Sequence, residues 1–219
     1  MTDEVVRKLR SDARDNRERI LEVAREAFAA EGLDVPMREI ARRARVGPAT
    51  LYRRFPTKEA LLTAAFAEQM AACIGIVEEG LAAADPWRGF AAAIERLMEV
   101  HALDRGFAHA LTSQYPQVYD FVEGRERTLR ALAELIRRAK EAGGLRKDVV
   151  IEDVVLALMA NEGIRAGSRA ARLAASRRFA ALMIRSFQAD APTAPLPPAV
   201  RLPIGAGGRG TARARPPAP

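Results

Sequence analysis

The sequence predicts an all-α protein made of a small N-terminal three-helix domain and a larger helical domain. Apolar residues recur at intervals of three and four through most of the first 190 residues, which is the period of an α-helix. Proline and glycine stand between these stretches, as at Pro56, Pro86 and Gly143, and they divide the chain into separate helices. We therefore expect one domain over 14–58 and a second over 59–189.

The first helix is predicted from about Arg14 to Glu31, and Gly32 follows in the position where glycine commonly ends a helix. Residues 1–13 are charged, and we expect a flexible arm there. Contact of this arm with the minor groove of DNA is the less favoured alternative, because acidic residues are mixed with the basic ones. The apolar stripe of the helix comprises Ile20, Val23, Ala24, Ala27 and Phe28.

The stretch from Met37 to Phe55 predicts two short helices around a tight break. Gly47 and Pro48 open the second helix, where the missing N–H of proline costs nothing. Leu51 and Phe55 are four residues apart, so they share a face that can pack against the first helix. The stretch therefore has the layout of a helix-turn-helix.

The opposite face of the second helix carries polar and charged residues. A short helix that presents arginines, a hydroxyl and a phenol outward has the chemistry of a major-groove reader. Arginine in such a place can pair with guanine edges or with phosphates. The residues on this face are Thr50, Tyr52, Arg53 and Arg54.

Residues 19–62 resemble the N-terminal DNA-binding domain of TetR-type (TetR/AcrR) transcriptional regulators. The resemblance implies a dimeric repressor that binds a palindromic double-stranded DNA operator and is released by a small molecule. The rest of the chain resembles the family only in being helical and of suitable length. The matching positions are Ala27, Phe28, Gly32, Ile40, Ala41, Thr50, Leu51, Tyr52, Phe55, Lys58, Glu59, Leu61 and Leu62.

The resemblance also implies which residues contact DNA. In the family, the Lys and Tyr that match Lys58 and Tyr52 bind the DNA backbone. Lys58 lies in the first turn of a helix, where a phosphate binds well, although an ordinary solvated lysine is the alternative. The predicted DNA-binding residues are Arg38, Pro48, Ala49, Thr50, Tyr52, Arg53, Arg54 and Lys58.

The chain departs from the family's pattern at two places. Asp34 and Pro36 stand where a Ser or Thr cap is usual; the carboxylate suits the positive helix end, and proline suits a first helical position. Arg45 stands where the family commonly has glycine. If the backbone there is left-handed, a residue with a side chain is strained by about 1 kcal/mol.

Basic residues are concentrated in the helix-turn-helix. The chain has a formal charge of +7, and residues 38–58 contain seven Arg or Lys and one Glu. Residues 59–189 contain 17 basic and 17 acidic residues. A basic patch on a neutral body indicates a localised polyanion site; codon bias toward arginine would explain the arginines but not their clustering.

Further helices are predicted in the larger domain, where Thr57 is a suitable cap for the first of them. That first helix starts at the DNA-reading end and runs into the larger domain, so we expect it to act as a lever between the two. The predicted limits are about 60–81, 86–103, 106–113, 117–142, 151–166 and 169–188.

The family resemblance places a homodimer interface on the last two helices. Gly163 and Gly167 lack side chains and would let another helix approach closely. A purely intramolecular core is the alternative. The predicted dimerisation residues are Leu158, Leu173, Ala180, Ile184 and Phe187.

The resemblance also places a small-molecule effector among the helices of the larger domain. Apolar side chains with a few polar groups are typical of such pockets, and methionine adapts to irregular ligands, so an apolar or aromatic compound is expected. Tyr115 and Asn161 would add polar contacts, although each residue has a place in the ordinary core as its alternative. The predicted lining residues are Phe66, Met70, Met98, His101, Phe107, Tyr119 and Met159.

The sequence lacks the motifs of an enzyme: GxSxG, a glycine-rich phosphate loop and HExxH are absent. We therefore expect no catalytic activity and no cofactor. His101, His109 and Asp104 are too sparse for a metal site, and Cys73 stands alone, which favours a reducing compartment. Without a long uninterrupted apolar run or a signal peptide, a cytoplasmic protein that contacts no membrane is expected.

Residues 190–219 predict a disordered Pro/Arg-rich tail, because 191–219 holds eight of the 13 prolines. An inert tail is favoured over one that adds DNA affinity. For the whole protein, the alternative to a ligand-released repressor is a constitutive or architectural DNA-binding protein without a small-molecule effector.

Overall fold

The computed structural model describes residues 2–112, 119–190 and 196–198, with the side chains of 2–13, 112 and 119–121 outside that description. The described residues fold into helices, which confirms the all-α prediction. The predicted tail 190–219 lies outside the described residues except for 190 and 196–198. The helices are α1 (Thr2–Glu31), α2 (Met37–Arg43), α3 (Pro48–Arg54), α4 (Lys58–Ala82), α5 (Pro86–Leu103), α6 (Arg105–Thr112), α7 (Tyr119–Glu141), α8 (Ile151–Glu162) and α9 (Arg169–Phe187).

Helix caps set the limits of most helices close to the predicted ones. The Thr57 hydroxyl accepts a hydrogen bond from the Ala60 N–H at 3.1 Å and thereby caps α4. The Asp85 carboxylate caps α5 in the same way. Helix α8 ends at Glu162, earlier than the predicted limit near residue 166, because Gly163 follows as its C-cap.

Helix α1 begins at Thr2, in place of the flexible arm expected over 1–13. The arm contains mostly Arg, Lys, Leu, Glu and Asp, and several of these are good helix formers. Further along α1, Arg14 and Glu18 form an ion pair at 3.0 Å across one turn, which adds modest support.

The first three helices form a compact unit, which we call the head. Its interior is apolar: Ile20, Phe28, Ile40 and Leu51 are at most 1% exposed. Gly32 directly follows the end of α1, and its φ of 85° is readily adopted by glycine. The head therefore closes around the face of α1 that the apolar stripe predicts.

Helix α4 is the central helix of the remaining residues, which we call the body (α4–α9). It packs against α5 and α7 along its length and against α1 of the head near its start. Its length and apolar composition would also suit a membrane span. Its buried side chains, among them Leu61, Phe66 and Val77, instead make it the core helix of the body.

The far part of the body is joined by a buried hydrogen-bond network between α5, α8 and α9. The Asn161 amide donates to the Met98 carbonyl at 2.9 Å. The Ser176 hydroxyl lies 2.8 Å from the Asn161 Oδ1 and 3.2 Å from the Met98 carbonyl. Asn161, expected as a polar contact for a ligand, is thus committed to holding three helices together.

Candidate DNA interface and body cavity

The outer face of α3 is exposed to solvent. Leu51 on its inner face is fully buried, whereas Tyr52 is 48% exposed. Thr50, Arg53 and Arg54 are also exposed. The fold therefore presents the predicted DNA-reading residues of α3 together on the outside of the head.

The other predicted contact residues flank this face. Pro48 is the first residue of α3, with Gly47 as its extended N-cap. Pro48 and Ala49 are exposed, and so is Arg38 near the start of α2. The compact side chains of Pro48 and Ala49 leave room for a large partner to approach the N-terminus of α3 closely.

The turn between α2 and α3 contains one residue in the left-handed conformation, which is Arg45. Arg45 has a φ of 54°, a conformation that costs a residue with a side chain about 1 kcal/mol. The Arg45 N–H donates to the Arg42 carbonyl at 3.2 Å, and the Val46 N–H to the Ala41 carbonyl at 3.0 Å. The turn therefore keeps its geometry without the usual glycine.

Two basic residues of the helix-turn-helix are used within the head. Arg42 and Arg43 both pair with Glu39, and Arg43 also pairs with Glu31 at the end of α1. Hydrogen bonds from the two guanidinium groups lower the pKa of Glu39 to about 2. The ion pair between Arg43 and Glu31 therefore joins α2 to α1.

Sequence reasoning missed two arginines of α1 that contact the C-terminal ends of α2 and α3. The Arg19 Nε donates to the Ala44 carbonyl at the end of α2, at 3.1 Å. The Arg17 guanidinium lies 6.0 Å from the centre of the Phe55 ring, within cation–π range. Nothing in the spacing of these arginines marks them apart from ordinary surface residues of a helix.

Lys58 stands at the N-terminus of α4, next to the head. It is partly buried, and this burial lowers the pKa of its ammonium group, while Asp34 and Glu59 act in the opposite direction. A cation at a helix N-terminus is unfavourable by itself. Its placement is chemically sensible if an anion such as a phosphate approaches the same helix end.

A cavity lies in the body between α4, α5, α6, α7 and α8. It encloses about 40 Å³, or about 480 Å³ when the spaces between side chains and its open mouth are included. Its wall is apolar except for one histidine, one arginine, one threonine and a buried thiol. The described lining residues are Cys73, Leu97, His101, Leu111, Arg125, Thr128, Leu129, Leu132, Val155 and Leu158.

Of the predicted ligand-binding residues, the structure places His101 in the wall of this cavity. Phe66, Met98 and Phe107 are fully buried in the surrounding core, Met70 is 7% exposed, and Met159 is partly exposed on α8. Tyr115 and the side chain of Tyr119 lie outside the described residues. The predicted set therefore surrounds the cavity more than it lines it, because apolar spacing does not distinguish core from cavity.

Three of these core residues form a chain of ring contacts between the cavity and the head. The His101 and Phe107 ring centres are 5.9 Å apart, as are those of Phe107 and Phe66. Phe66 in turn lies 6.1 Å from Phe28 of α1. A change in the cavity wall therefore has a continuous packed route to the head.

Sequence reasoning missed Arg125, which is 5% exposed. Its burial lowers the pKa of the guanidinium. A signal was present, because Arg125 lies one helical turn before Leu129 and two before Leu132, within the apolar stripe of α7. A charged residue inside such a stripe indicates a special environment.

The predicted dimerisation residues fall into two groups. Ala180 and Phe187 are buried in the same chain, where Phe187 packs against Phe90 at 6.2 Å between ring centres. Leu158 lines the cavity, while Leu173 and Ile184 are partly exposed. The structure therefore assigns the first three to the interior of the protomer, since their side chains offer little surface to a partner.

Two leucines absent from the predicted set are exposed on the last two helices. Leu156 of α8 is 56% exposed, and Leu182 of α9 is 49% exposed. Ala160 lies one turn from Leu156, and Ala174 and Ala175 lie two turns from Leu182; all three are exposed. Each of the two leucines thus has exposed small residues one or two turns away on its own helix.

The remaining chemical candidates have local partners. His109 lies 3.5 Å from Glu162, while Asp104 caps α6 at the Phe107 N–H and accepts from Gln69. Burial raises the pKa of Cys73 to about 12, so its thiol stays protonated and unreactive. Within the described part of the chain, no three His, Cys, Asp or Glu side chains cluster as a metal site would require.

Two family models match the chain. One, described as bacterial regulatory proteins of the tetR family, matches residues 20–65. The other, described as the C-terminal domain of SbtR-like transcriptional regulators, matches residues 85–185. The two matches correspond to the head and to most of the body. A search among curated proteins gives no match.

Solved structures resemble about four fifths of the chain. The TetR transcriptional regulator SCO0520 from Streptomyces coelicolor is 32% identical over 80% of this chain and 99% of that one, with a TM-score of 0.51. A tetR-family regulatory protein from Rhodococcus RHA1 is 21% identical over 78% and 96%, with a TM-score of 0.62. The ketosteroid regulator KstR2 of Mycobacterium tuberculosis is 18% identical over 78% and 94%, with a TM-score of 0.61. The last two show likeness of fold alone.

Proposed function

The chain belongs to the TetR family of bacterial regulatory proteins, which makes it a DNA-binding transcriptional regulator, and we propose that it is a dimeric cytoplasmic repressor released from a palindromic operator by a small molecule. The observation that carries the proposal is the exposed face of α3. It presents Thr50, Tyr52, Arg53 and Arg54 on a helix of the size that enters a major groove.

We assign different roles to the residues of the DNA interface. Thr50, Arg53 and Arg54 contact bases or fix the helix in the groove, while Tyr52 and Lys58 bind phosphates. Pro48 and Ala49 allow α3 to approach the bases, and Arg38 adds a phosphate contact from α2. Base contacts specify the sequence, whereas phosphate contacts supply salt-dependent affinity.

The test starts with selection of bound fragments from the source genome. A repressor yields one palindromic site, with half-sites about 34 Å or a multiple apart. Lys58→Ala should weaken binding to all sequences alike and reduce the salt slope by about one unit. Lys147→Ala, an exposed lysine of the body, is the matched control and should change neither quantity. A Lys58 variant with altered base preference and an unchanged slope would contradict the phosphate assignment.

The dimer is proposed to form through α8 and α9. The exposed Leu156 and Leu182, with the small residues beside them, supply an apolar surface on which a second copy would pack as a four-helix interface. Leu182→Asp would bury an unpaired charge there. We expect this variant to sediment as a monomer and to lose tight operator binding. Leu103→Asp, at another exposed leucine, should remain dimeric; a dimeric Leu182→Asp variant would place the interface elsewhere.

Release by a ligand would be a population shift. A compound that favours a body conformation with misplaced heads moves the chain away from the DNA-binding state. The ring contacts from His101 to Phe28 and the lever α4 connect the cavity to the head. A tenfold loss of operator affinity requires about 1.4 kcal/mol of coupling.

A constitutive or architectural DNA-binding protein is the competing function. It predicts fragments without a shared sequence in the selection experiment. It also predicts that no compound changes both the melting temperature and operator binding. The sequence contains none of the catalytic motifs GxSxG, a glycine-rich phosphate loop or HExxH, and we expect no enzymatic turnover.

A further inference from the structure

The body cavity combines an apolar wall with two nitrogen-bearing side chains from different helices. His101 of α5 is fully buried and Arg125 of α7 is 5% exposed, and both line the cavity. The remaining wall is largely leucine and valine. Such a wall accepts hydrocarbon, whereas a guanidinium accepts an anion.

His101 has unused hydrogen-bonding capacity at this site. Within the described part of the chain, neither Nδ1 nor Nε2 has a hydrogen-bond partner, although both atoms are buried. A buried polar atom without a partner costs free energy, so such groups call for an explanation. A ligand atom in the adjoining cavity that accepts the ring N–H would satisfy one of them.

The donors of the cavity fit one carboxylate better than a phosphate. A guanidinium can hold a carboxylate through two parallel hydrogen bonds. Neutral His101 can add one N–H. The Thr128 hydroxyl adds none, since it donates to the Gly124 carbonyl at 2.9 Å. Among the described lining residues, a dianionic phosphate would therefore lack donors for most of its oxygens.

We propose that the effector is a carboxylic acid with an apolar skeleton, bound with its carboxylate between Arg125 and His101. The hydrocarbon part lies against Leu97, Leu132 and Leu158. This inference rests on the proposed function, because it names the chemical class of the compound that releases the operator. The cavity encloses about 40 Å³, which is less than a small molecule occupies, so a ligand needs the surrounding side chains and helices to move apart. Binding therefore spreads the helices of the wall, among them α4.

The first experiment compares ligands that share one hydrocarbon skeleton and differ only in their polar group. Hexanoate, octanoate, decanoate and 4-phenylbutanoate are compared with the primary alcohols and amines of the same skeleton. Melting temperature and operator release by fluorescence anisotropy are measured on the full-length protein. We expect at least one acid to raise the melting temperature and release DNA at a concentration about tenfold or more below that of its alcohol. The amine should be the weakest of the three.

Variants at the cavity test the assigned contacts. Arg125→Met and Arg125→Gln should bring the acid and the alcohol to similar potency, and His101→Phe should weaken the acid more than the alcohol. Arg130→Met removes an exposed arginine of the same helix and should keep the preference for the acid. Each variant's melting curve without ligand identifies any that fails to fold, and the wild-type ligand series stands independently of all of them.

Equal potency of acids and alcohols on the wild type, or no binding of any acid, would overturn the carboxylate proposal. A preference for acids that survives in folded Arg125 variants would overturn the assignment of Arg125. Selection of a palindromic operator without any ligand tests the repressor proposal by itself. Failure of the two proposals is therefore distinguishable.

Discussion

The head and the body bury polar groups differently. In the head, every buried side chain described between residues 14 and 57 is apolar. Its arginines act at the surface, where Arg19 and Arg43 join helices through hydrogen bonds and ion pairs. Among its described residues, the body buries four polar or charged side chains, which are His101, Arg125, Asn161 and Ser176.

These four body residues show that burial of polar groups serves two purposes. Asn161 and Ser176 satisfy each other and the Met98 carbonyl, so they fix the positions of three helices. His101 borders a cavity and has no hydrogen-bond partner among the residues that the structure describes. The described interior of the head is therefore apolar throughout, whereas the body holds both a satisfied polar network and, in His101, an unsatisfied polar side chain.

The largest expected loss of stability comes from a substitution at the contact between the head and the body. A methyl group on Gly106 of α6 would lie 3.0 Å from the Ala29 nitrogen and 3.3 Å from the Phe28 carbonyl carbon, which are backbone atoms of α1. Gly106→Ala therefore requires α6 and the α1 backbone to separate by a few tenths of an ångström, at a cost of about 3 kcal/mol. We expect a lower free energy of unfolding and weaker operator binding.

Gly75→Ala is the matched control for this change. Nothing lies within 4 Å of a methyl group at Gly75 in α4. This substitution should stabilise the protein by about 0.5–1 kcal/mol, because alanine is the better helix former. Equal effects of the two substitutions in urea unfolding would contradict a tight joint between head and body.

Loss of the buried network in the body should have the next largest effect. Ser176→Ala removes the hydroxyl that serves the Asn161 Oδ1 and leaves this buried oxygen without that donor. We expect the free energy of unfolding to fall by about 2–3 kcal/mol. Ser186→Ala removes an exposed hydroxyl of the same helix and should cost much less. Similar losses for both serines would show that the network does not hold the helices.

The unsatisfied histidine predicts a pH dependence of stability. Burial lowers the pKa of His101 from 6.5 to about 4, so below 6.5 the unfolded chain takes up a proton that the folded chain does not. The free energy of unfolding therefore falls as the pH falls, by about 2 kcal/mol between pH 6.5 and about pH 5. His101→Leu should lose this dependence. Parallel pH profiles of wild type and variant in urea unfolding would exclude His101 as its source.

The smallest expected change in stability comes from substitution of Arg45 in the strained turn of the head. Arg45→Gly relieves a left-handed conformation but gives the unfolded chain more freedom, so the net gain is about 0.5 kcal/mol. Arg45→Asn, which tolerates the same conformation, should be close to neutral. A loss of stability in the glycine variant would mean that the Arg45 side chain makes a contribution larger than the strain.

The sequence by itself determined most of the helix limits and the exposed face of α3. Caps such as Thr57 and Asp85, and breakers such as Gly32 and Pro48, act through the backbone of their own neighbours, so their effect is readable without the fold. The face of α3 follows equally from the spacing of Leu51 and Phe55. For these features, local geometry leaves little choice.

Only the tertiary structure decided the fate of the apolar and polar residues in the body. Leu158, Leu182 and Phe187 all have helical spacing, yet one lines a cavity, one faces solvent and one is core. His101 and Asn161 are both buried, but only Asn161 meets partners, because these come from helices more than sixty positions away or across the α8–α9 turn. Periodicity reports which side of a helix is apolar. What that side packs against depends on helices that are distant in the chain. The cavity likewise depends on how five helices, α4 to α8, pack together.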